Sequence, residues 1–507
     1  MQMRNVLVGV DIGSTNLKVV GFFPDGTLAG SEERPMLDCR HSYGAAQYVY
    51  ADPAYVFGAV LDMLKALRER LDGQADILSI AVTGMGDDGL PLGADNEPLY
   101  PIISWKCRRT LPYFERFREE YGFDNYFCIT GLQARNMDTI FKLLWLRENE
   151  PTVHAKTEKW LFIEDYVNYR LCGAMATDPS VATTSGLLDL ARQRWSDELT
   201  GYVGMRSAQF PAFVRGGSRI GGLNAPSAAY TGISEGTPVV MGGWDIQCAA
   251  VALGALRANS VVDTMGTWET INIVADKPVL TKAFYEYGFH VCNHVAEGLY
   301  SYPVFLLSSR VVEWYLNAWY NHLSDKKERY AALMADAEAA GCGAGGVVFL
   351  PQISGSYFPH IDPDYRGAFA GISEQSGRPA FSRALLEGLT FMTSQVVYTC
   401  EELLGSSLED ILVTGGGVRN RVWMQIKASI LDRTLHLSGQ PEDTALGAAM
   451  LAGVGCGAFS DLAAAQRAMR GGMQIQQPVQ ADAARYREQL ARYERIYTAL
   501  GKADRAR

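Results

Sequence analysis

Val6-Leu7-Val8-Gly9-Val10 is an apolar run of strand length, followed by the polar stretch Asp11-Ile12-Gly13-Ser14-Thr15-Asn16 and a second apolar run over 17–23 that ends at Pro24-Asp25-Gly26. Two apolar runs joined by a short segment rich in Gly, Ser and Thr predict a β-hairpin with a polar tip. Spacing of apolar residues at three and four predicts helices over 54–71, 113–121 and 139–148, separated by short strands such as 77–82. The opening signature returns in mid-chain, where Ser260-Val261-Val262-Asp263-Thr264-Met265-Gly266-Thr267-Trp268 leads into a further apolar run to Val274. This weak internal repeat predicts two related lobes, 1–253 and 254–507, with the boundary near 253–259 and each lobe turning a hairpin tip to a shared cleft. The second half then reads as strands at 347–350 and 411–414, helices at 383–404, 422–431 and 444–452, and a charged terminal helix beyond 478.

A chain of 507 residues suits two such lobes. With 48% hydrophobic and 20% charged residues it has the composition of an ordinary globular protein, which excludes disordered and fibrous classes. The formal net charge of −10 argues against a nucleic-acid or anionic-membrane partner, because such partners need a basic face. An anionic ligand must therefore be held locally. Nine cysteines, odd in number and without a CxxC pair, read as reduced thiols rather than a disulfide framework. The N-terminal apolar run is too short for a signal segment and no long uncharged apolar stretch follows, so a cytoplasmic location is expected.

Three segments carry chemistry. In the first, backbone N–H groups and hydroxyls of Gly13, Ser14, Thr15 and Asn16 could cradle phosphate oxygens while Asp11 orients a metal-bound water; an ordinary polar turn is the competing reading. In the second, Ile411 to Thr414 run into Gly415-Gly416-Gly417-Val418-Arg419-Asn420 and an amphipathic helix, which lets the backbone lie against a base or a phosphate near a helix N-terminus. A flexible connection is the alternative there. The third, Met241-Gly242-Gly243-Trp244-Asp245, sets one carboxylate on a glycine-rich bend, and phosphoryl transfer needs one base besides positioning and charge neutralisation; a turn former or a helix cap is the commoner reading of a lone loop aspartate. Two further signals are weaker. Gly341-Cys342-Gly343-Ala344-Gly345-Gly346 fits GxGxxG formally but follows a helix and precedes a strand, the reverse of a dinucleotide site. His290, Cys292 and His294 share one strand face, for which a half-buried strand is a commoner cause than zinc.

The order and spacing of the Asp11 loop, the 242–245 bend, Gly266-Thr267 and 415–420 resemble the FGGY family of carbohydrate kinases over residues 5–460. Stretches at 142–151, 165–178, 349–369 and 384–388 add to the likeness. The resemblance implies an α/β fold of two actin-like (ribonuclease H-like) ATPase lobes with an interlobe cleft, and phosphorylation of a sugar or polyol hydroxyl by ATP with Mg²⁺. By position, it implies Asp245 as general base, Asp11 as metal organiser, Gly13 to Asn16 with Gly266 and Thr267 at the phosphates, and Gly416, Gly417 and Asn420 at the adenosine. Tyr100 to Cys107, Arg109-Thr110 and Gly266 to Glu269 resemble the L-fuculokinase branch, which makes Trp105 and Arg109 candidate sugar contacts. An aromatic face against C–H bonds and charged groups on hydroxyls is the usual way to hold a small sugar. Asp88, Asp87, Trp244 and Asp245 are further candidates, and the acidic 83–89 loop and Trp244 depart from that branch. The expectation is a ketose such as L-fuculose. Another ketose or polyol (xylulose, ribulose, erythritol, glycerol) and a non-catalytic actin-fold binder stay as alternatives, and the family's frequent dimers keep a homodimer open.

Overall fold

The computed structural model describes residues 4–39, 48–71 and 73–504. Its first half is built on a six-stranded sheet. β1 (Arg4–Ile12), β2 (Asn16–Phe22) and β3 (Leu28–Pro35) form an antiparallel meander, and β4 (Ala75–Gly84) joins β1 in parallel. β5 (Arg219–Gly222) lies antiparallel to β6 (Pro238–Trp244), which runs parallel to β4, so the order is β5-β6-β4-β1-β2-β3. The expected hairpin at the N-terminus is β1–β2, closed by Gly13 N–H donating to Asn16 O at 3.1 Å.

The second sheet repeats this plan. β7 (Ser260–Met265) and β8 (Trp268–Ala275) form a hairpin, β9 (Cys292–Asn293) pairs with β10 (Tyr300–Leu307), and β10 lies antiparallel to β8. β11 (Asp410–Gly415) joins β7 in parallel, β12 (Leu435–Ser438) follows in parallel, and β13 (Met473–Gln476) closes the edge antiparallel. Three antiparallel strands, two parallel ones and an antiparallel edge therefore occur in the same order in both sheets. The internal repeat glimpsed in the sequence is a repeat of topology.

Helices cover the sheets by burying one stripe each. α1 (Pro53–Leu71) buries Val56, Val60, Met63, Leu64 and Leu67, at helical spacing, against the first sheet. α2 (Thr139–Asn149) and α3 (Ile163–Cys172) lie in the same half. α4 (Asp245–Leu253) follows β6 directly, yet its Ala250 and Leu253 pack with Val262, Val274 and Leu412 of the second sheet. In the second half α5 (Arg378–Leu404) and α6 (Arg421–Leu431) border the sheet, while α7 (Asp443–Gly455) crosses back onto β1, β4 and β6 of the first. α8 (Gln480–Asp504) ends the described chain. The two halves thus exchange helices, and glycine permits the crossing: a Cβ at Gly9 would collide with the Ala445 carbonyl oxygen, and one at Gly447 with that of Cys248. Among the described residues no helix is long and apolar enough to cross a membrane.

Candidate active site

Parallel strands present their carboxyl ends together, which is where open α/β sheets place ligands. Ile12 of β1 pairs with Gly84 of β4, and Gly84 with Trp244 of β6, so Asp11, Thr83 and Asp245 lie across three adjacent strand ends. Thr83 Oγ1 donates to Gly243 O at 2.6 Å, holding the glycine bend onto β4. A Cβ at Gly242 would strike the Val82 carbonyl oxygen, so the bend requires glycine there. Asp245 is the first residue of α4, and its Oδ1 accepts from Ile246 N–H at 2.6 Å. Burial pushes its carboxyl up to about 8, with repulsion from Asp11 and Asp87 adding. Asp11 is held up at about 7 by burial, with Lys18 pulling it down and Glu442 pushing it up.

The acidic loop after β4 is tied down from several sides. Asp87, in a left-handed conformation at φ 52°, has its N–H on Thr184 Oγ1 at 2.8 Å, while its carbonyl accepts from Thr139 Oγ1 and Lys142 Nζ at 2.8 and 2.6 Å. Its carboxylate meets Arg135 at 3.1 Å, and Arg135 also binds Asp138 at 2.9 Å. Burial raises the Asp87 carboxyl to about 7 despite Arg135. Asp88 faces inward: its Oδ1 accepts from Trp105 N–H at 2.5 Å and Lys142 Nζ at 3.1 Å. Glu164, on the first turn of α3, accepts from Gly86 N–H at 3.1 Å; burial, with a smaller push from Asp245, raises its carboxyl to about 8.

Among the candidate sugar contacts, Asp87 and Asp245 are near enough to repel one another, and Trp105, half-buried against the core of the first half, is tied by its backbone N–H to Asp88. Trp244 is only 5% exposed, packs in the aromatic cluster, and donates its backbone N–H to Ser180 Oγ at 3.0 Å. Arg109 sits in an aromatic box, its guanidinium 4.4, 4.2 and 4.5 Å from the rings of Tyr48, Tyr50 and Trp145. Its Nε donates to Cys107 Sγ at 3.0 Å. The neighbouring Lys106 reaches the first phosphate-loop candidate instead, with Nζ 2.7 Å from Ser14 O and 3.1 Å from Asp38.

In the second half, Met265 pairs with Glu269 across the hairpin and with Gly415 on β11, so the Gly266-Thr267 turn and the triple glycine are neighbours. Gly266, Thr267 and, in the first hairpin, Thr15 are exposed. A Cβ at Gly417 would lie 2.8 Å from Met265 Cε, which gives that glycine a close-packing reason, whereas Gly416 has open space and lines a cavity of about 540 Å³ with Thr414, Arg419, Ser438 and Gln440. Asn420 caps α6, its Oδ1 accepting from Trp423 N–H at 3.0 Å. Asp443, first in α7, bonds Thr414 Oγ1, and Glu442 just before it pairs with Lys18 at 2.9 Å. A continuous chain of contacts thus runs from Asp11 through Lys18, Glu442, Asp443 and Thr414 to the second turn.

Arg135, Lys142, Glu164, Lys427, Glu442 and Asp443, which no motif of the sequence marks, stand among the candidate site residues. Lys142 did carry a signal, being a lysine inside the apolar run Ile140 to Leu146, and it is 1% exposed. His290 and His294 are buried, which drives both imidazoles towards the neutral form, His294 to about 4. Among the described residues no group of three His, Cys, Asp or Glu side chains is placed to hold a metal ion. The 341–346 segment links a helix to a strand, with Gly343 N–H donating to Glu387 at 2.9 Å.

The N-terminal domain of the FGGY family of carbohydrate kinases matches residues 6–252, and the family's C-terminal domain matches residues 261–456. An L-fuculokinase from Salmonella typhi is 30% identical over 458 residues, 90% of this chain and 94% of that protein. A xylulose kinase from Bacillus subtilis is 28% identical over 460 residues, covering 90% and 89%. Among solved structures, xylulose kinase from Rhodospirillum rubrum superposes with a TM-score of 0.90 at 24% identity, covering 99% of this chain and 100% of that one. Plasmodium falciparum glycerol kinase with ADP gives 0.89 at 20% identity, covering 98% of each. These likenesses bear out the two-lobed α/β sugar-kinase fold, and the matched domains account for both halves of the molecule: the chain belongs to the FGGY family of carbohydrate kinases.

Proposed function

We propose that this FGGY kinase phosphorylates a small neutral ketose, L-fuculose first, with MgATP as donor and Asp245 as general base. The observation that carries the reading is Asp245 on the glycine bend at the strand ends, beside Asp11, with its carboxyl raised to about 8. A base poised near working pH can take a hydroxyl proton and release it afterwards. Bound MgATP supplies the electrophilic γ-phosphoryl group, whose spread charge the metal neutralises. The chain has fitting residues for it. A Cβ at Gly13 would lie 2.7 Å from Asn16 O, so the first turn keeps its backbone bare, and Gly13 to Asn16 with Gly266 and Thr267 would hold the phosphates. The cavity beside Gly416, with Gly417 and Asn420 behind it, would take the adenosine. Asp11 would hold Mg²⁺ through water, as that ion commonly keeps several waters and one or two carboxylates.

Charge supports a neutral substrate. At the sugar side Arg135 is tied to Asp87 and Asp138, Lys142 to Asp87 O and Asp88, and Lys106 to Ser14 O and Asp38, while Arg109 is boxed by aromatics. A sugar acid would meet Asp245 and Asp87, and the one of these four cations without a carboxylate partner among the described residues, Arg109, is enclosed by aromatic rings. L-fuculose is favoured by the L-fuculokinase relatives, and the xylulose kinase relatives make xylulose the second candidate.

A coupled ADP-release assay with MgATP and L-fuculose, D-ribulose, D- and L-xylulose, L-rhamnulose, glycerol, erythritol and gluconate tests the reading. Turnover confined to L-fuculose supports the named sugar, and turnover on another neutral sugar replaces it. Preference for gluconate would refute the charge argument. Sugar-indifferent ATP hydrolysis would refute the kinase reading.

A further inference from the structure

Lys427 is a lysine with no exposed surface, on the inner face of α6. Its Nζ contacts the carboxylates of Asp263 on β7 and, at 2.8 Å, Glu269 on β8. These two acids stand on opposite strands of the hairpin whose tip is Gly266-Thr267, and they are 0% and 2% exposed. Glu269 also accepts from Thr393 Oγ1 of α5 at 2.5 Å, and Trp423 of α6 donates Nε1 to Thr390 Oγ1 of α5 at 3.1 Å. α6 is the helix that follows the triple-glycine segment. One ammonium thus ties both legs of one turn to the helix carrying the other.

We infer that Lys427 is a positioning residue for the nucleotide, locking the Gly266-Thr267 turn to the Gly415–Asn420 segment through Asp263 and Glu269. The inference rests on the reading that these two segments meet phosphates and adenosine. Its logic is that exposed turn residues have little of their own to hold them, whereas a phosphate cradle works only with donors already in place. A buried ion triad is costly to desolvate and gives no assurance of net stability, so a purely stabilising role could be filled by apolar residues of similar volume. An apolar replacement would not set the two turns in register.

Three variants test this: Lys427→Met, Lys427→Arg and the charge-matched pair Lys427→Gln/Glu269→Gln. ADP binding is followed by titration calorimetry with Mg²⁺, KM for MgATP and for sugar are measured separately, and Tm reports the fold. Lys427→Met leaves two buried carboxylates without their cation and should lower Tm; the charge-matched pair, which leaves only Asp263 without it, should recover part of the loss. ADP affinity in the pair should still fall about tenfold or more, with sugar KM within about twofold, because a displacement on the order of 1 Å in a positioning group costs up to about 10²-fold. Lys427→Arg, which keeps the charge, should bind ADP more tightly than Lys427→Met. A folded pair with wild-type ADP affinity overturns the inference, and so does equal loss of sugar and ADP binding. If Lys427→Met does not fold, the pair alone decides. Wild-type protein that binds no ADP would instead overturn the nucleotide reading, and this inference with it.

Discussion

Lys18 on β2 donates to both carboxylate oxygens of Glu442, at 3.1 and 2.9 Å, joining residues 424 positions apart across the two halves of the molecule. Both side chains are about a quarter exposed, so the pair is neither fully screened nor fully desolvated. Its position gives it a second effect, because Lys18 pulls the Asp11 carboxyl down while Glu442 pushes it up. Lys18→Met should therefore raise Asp11 above its value of about 7, and Glu442→Gln should lower it. The acid limb of kcat/KM for MgATP should move to higher pH in the first variant and to lower pH in the second. Profiles that superpose would remove Asp11 from nucleotide use.

Asp245→Asn should lower turnover by about 10² or more, the scale of losing a positioned acid–base group. Sugar affinity, read by calorimetry, should be retained, because the amide keeps the size and most of the hydrogen-bonding capacity. Near-normal turnover in this variant would take the base role away from Asp245.

The same carboxyl makes stability depend on pH in a defined direction. Asp245 rises from an ordinary value of 3.8 to about 8 on folding, so the folded state binds its proton more tightly. That contribution is fully present below about pH 4 and is lost as pH rises through about 8. Without nucleotide, the Tm of Asp245→Asn relative to wild type should increase between pH 5 and 9. A difference that is constant across this range would contradict the raised value.

Crossing of α4 and α7 depends on glycine at one contact. Gly447→Ala places a methyl against the Cys248 carbonyl and should cost about 1–3 kcal/mol, the usual scale of overpacking, seen as a lowered Tm. Gly416→Ala, where a Cβ meets nothing within 4 Å, should leave Tm unchanged while weakening ADP binding, since Gly416 lines the adjoining cavity. An equal fall of Tm in both would mean that the crossing carries no special packing demand.

Local order was legible in the chain. The apolar runs at 6–10 and 17–23 are β1 and β2, the predicted helices at 54–71, 139–148, 383–404 and 422–431 are α1, α2, α5 and α6 within a few residues, and the mid-chain echo is β7–β8. The family was legible too, because its glycine and aspartate motifs sit on strand ends, where backbone geometry restricts the residue type. Inward or outward placement of a polar side chain was not. Asp88 and Arg109, read as sugar contacts, are engaged with Trp105 and Lys142 and with an aromatic box, and nothing in their neighbours along the chain separates these outcomes.

Sequence by itself determined the elements, their repeat and the residue types of the turns, since these follow from periodicity and composition over a few positions. Tertiary structure alone decided the exchange of α4 and α7 between the halves and the pairing of Lys18 with Glu442. It alone also decided the lock of Lys427 on Asp263 and Glu269 and the raised carboxyls of Asp11, Asp87 and Asp245. These depend on burial and on charge at short range in space, and residues that the chain holds more than 100 positions apart meet only when the sheets have closed on each other.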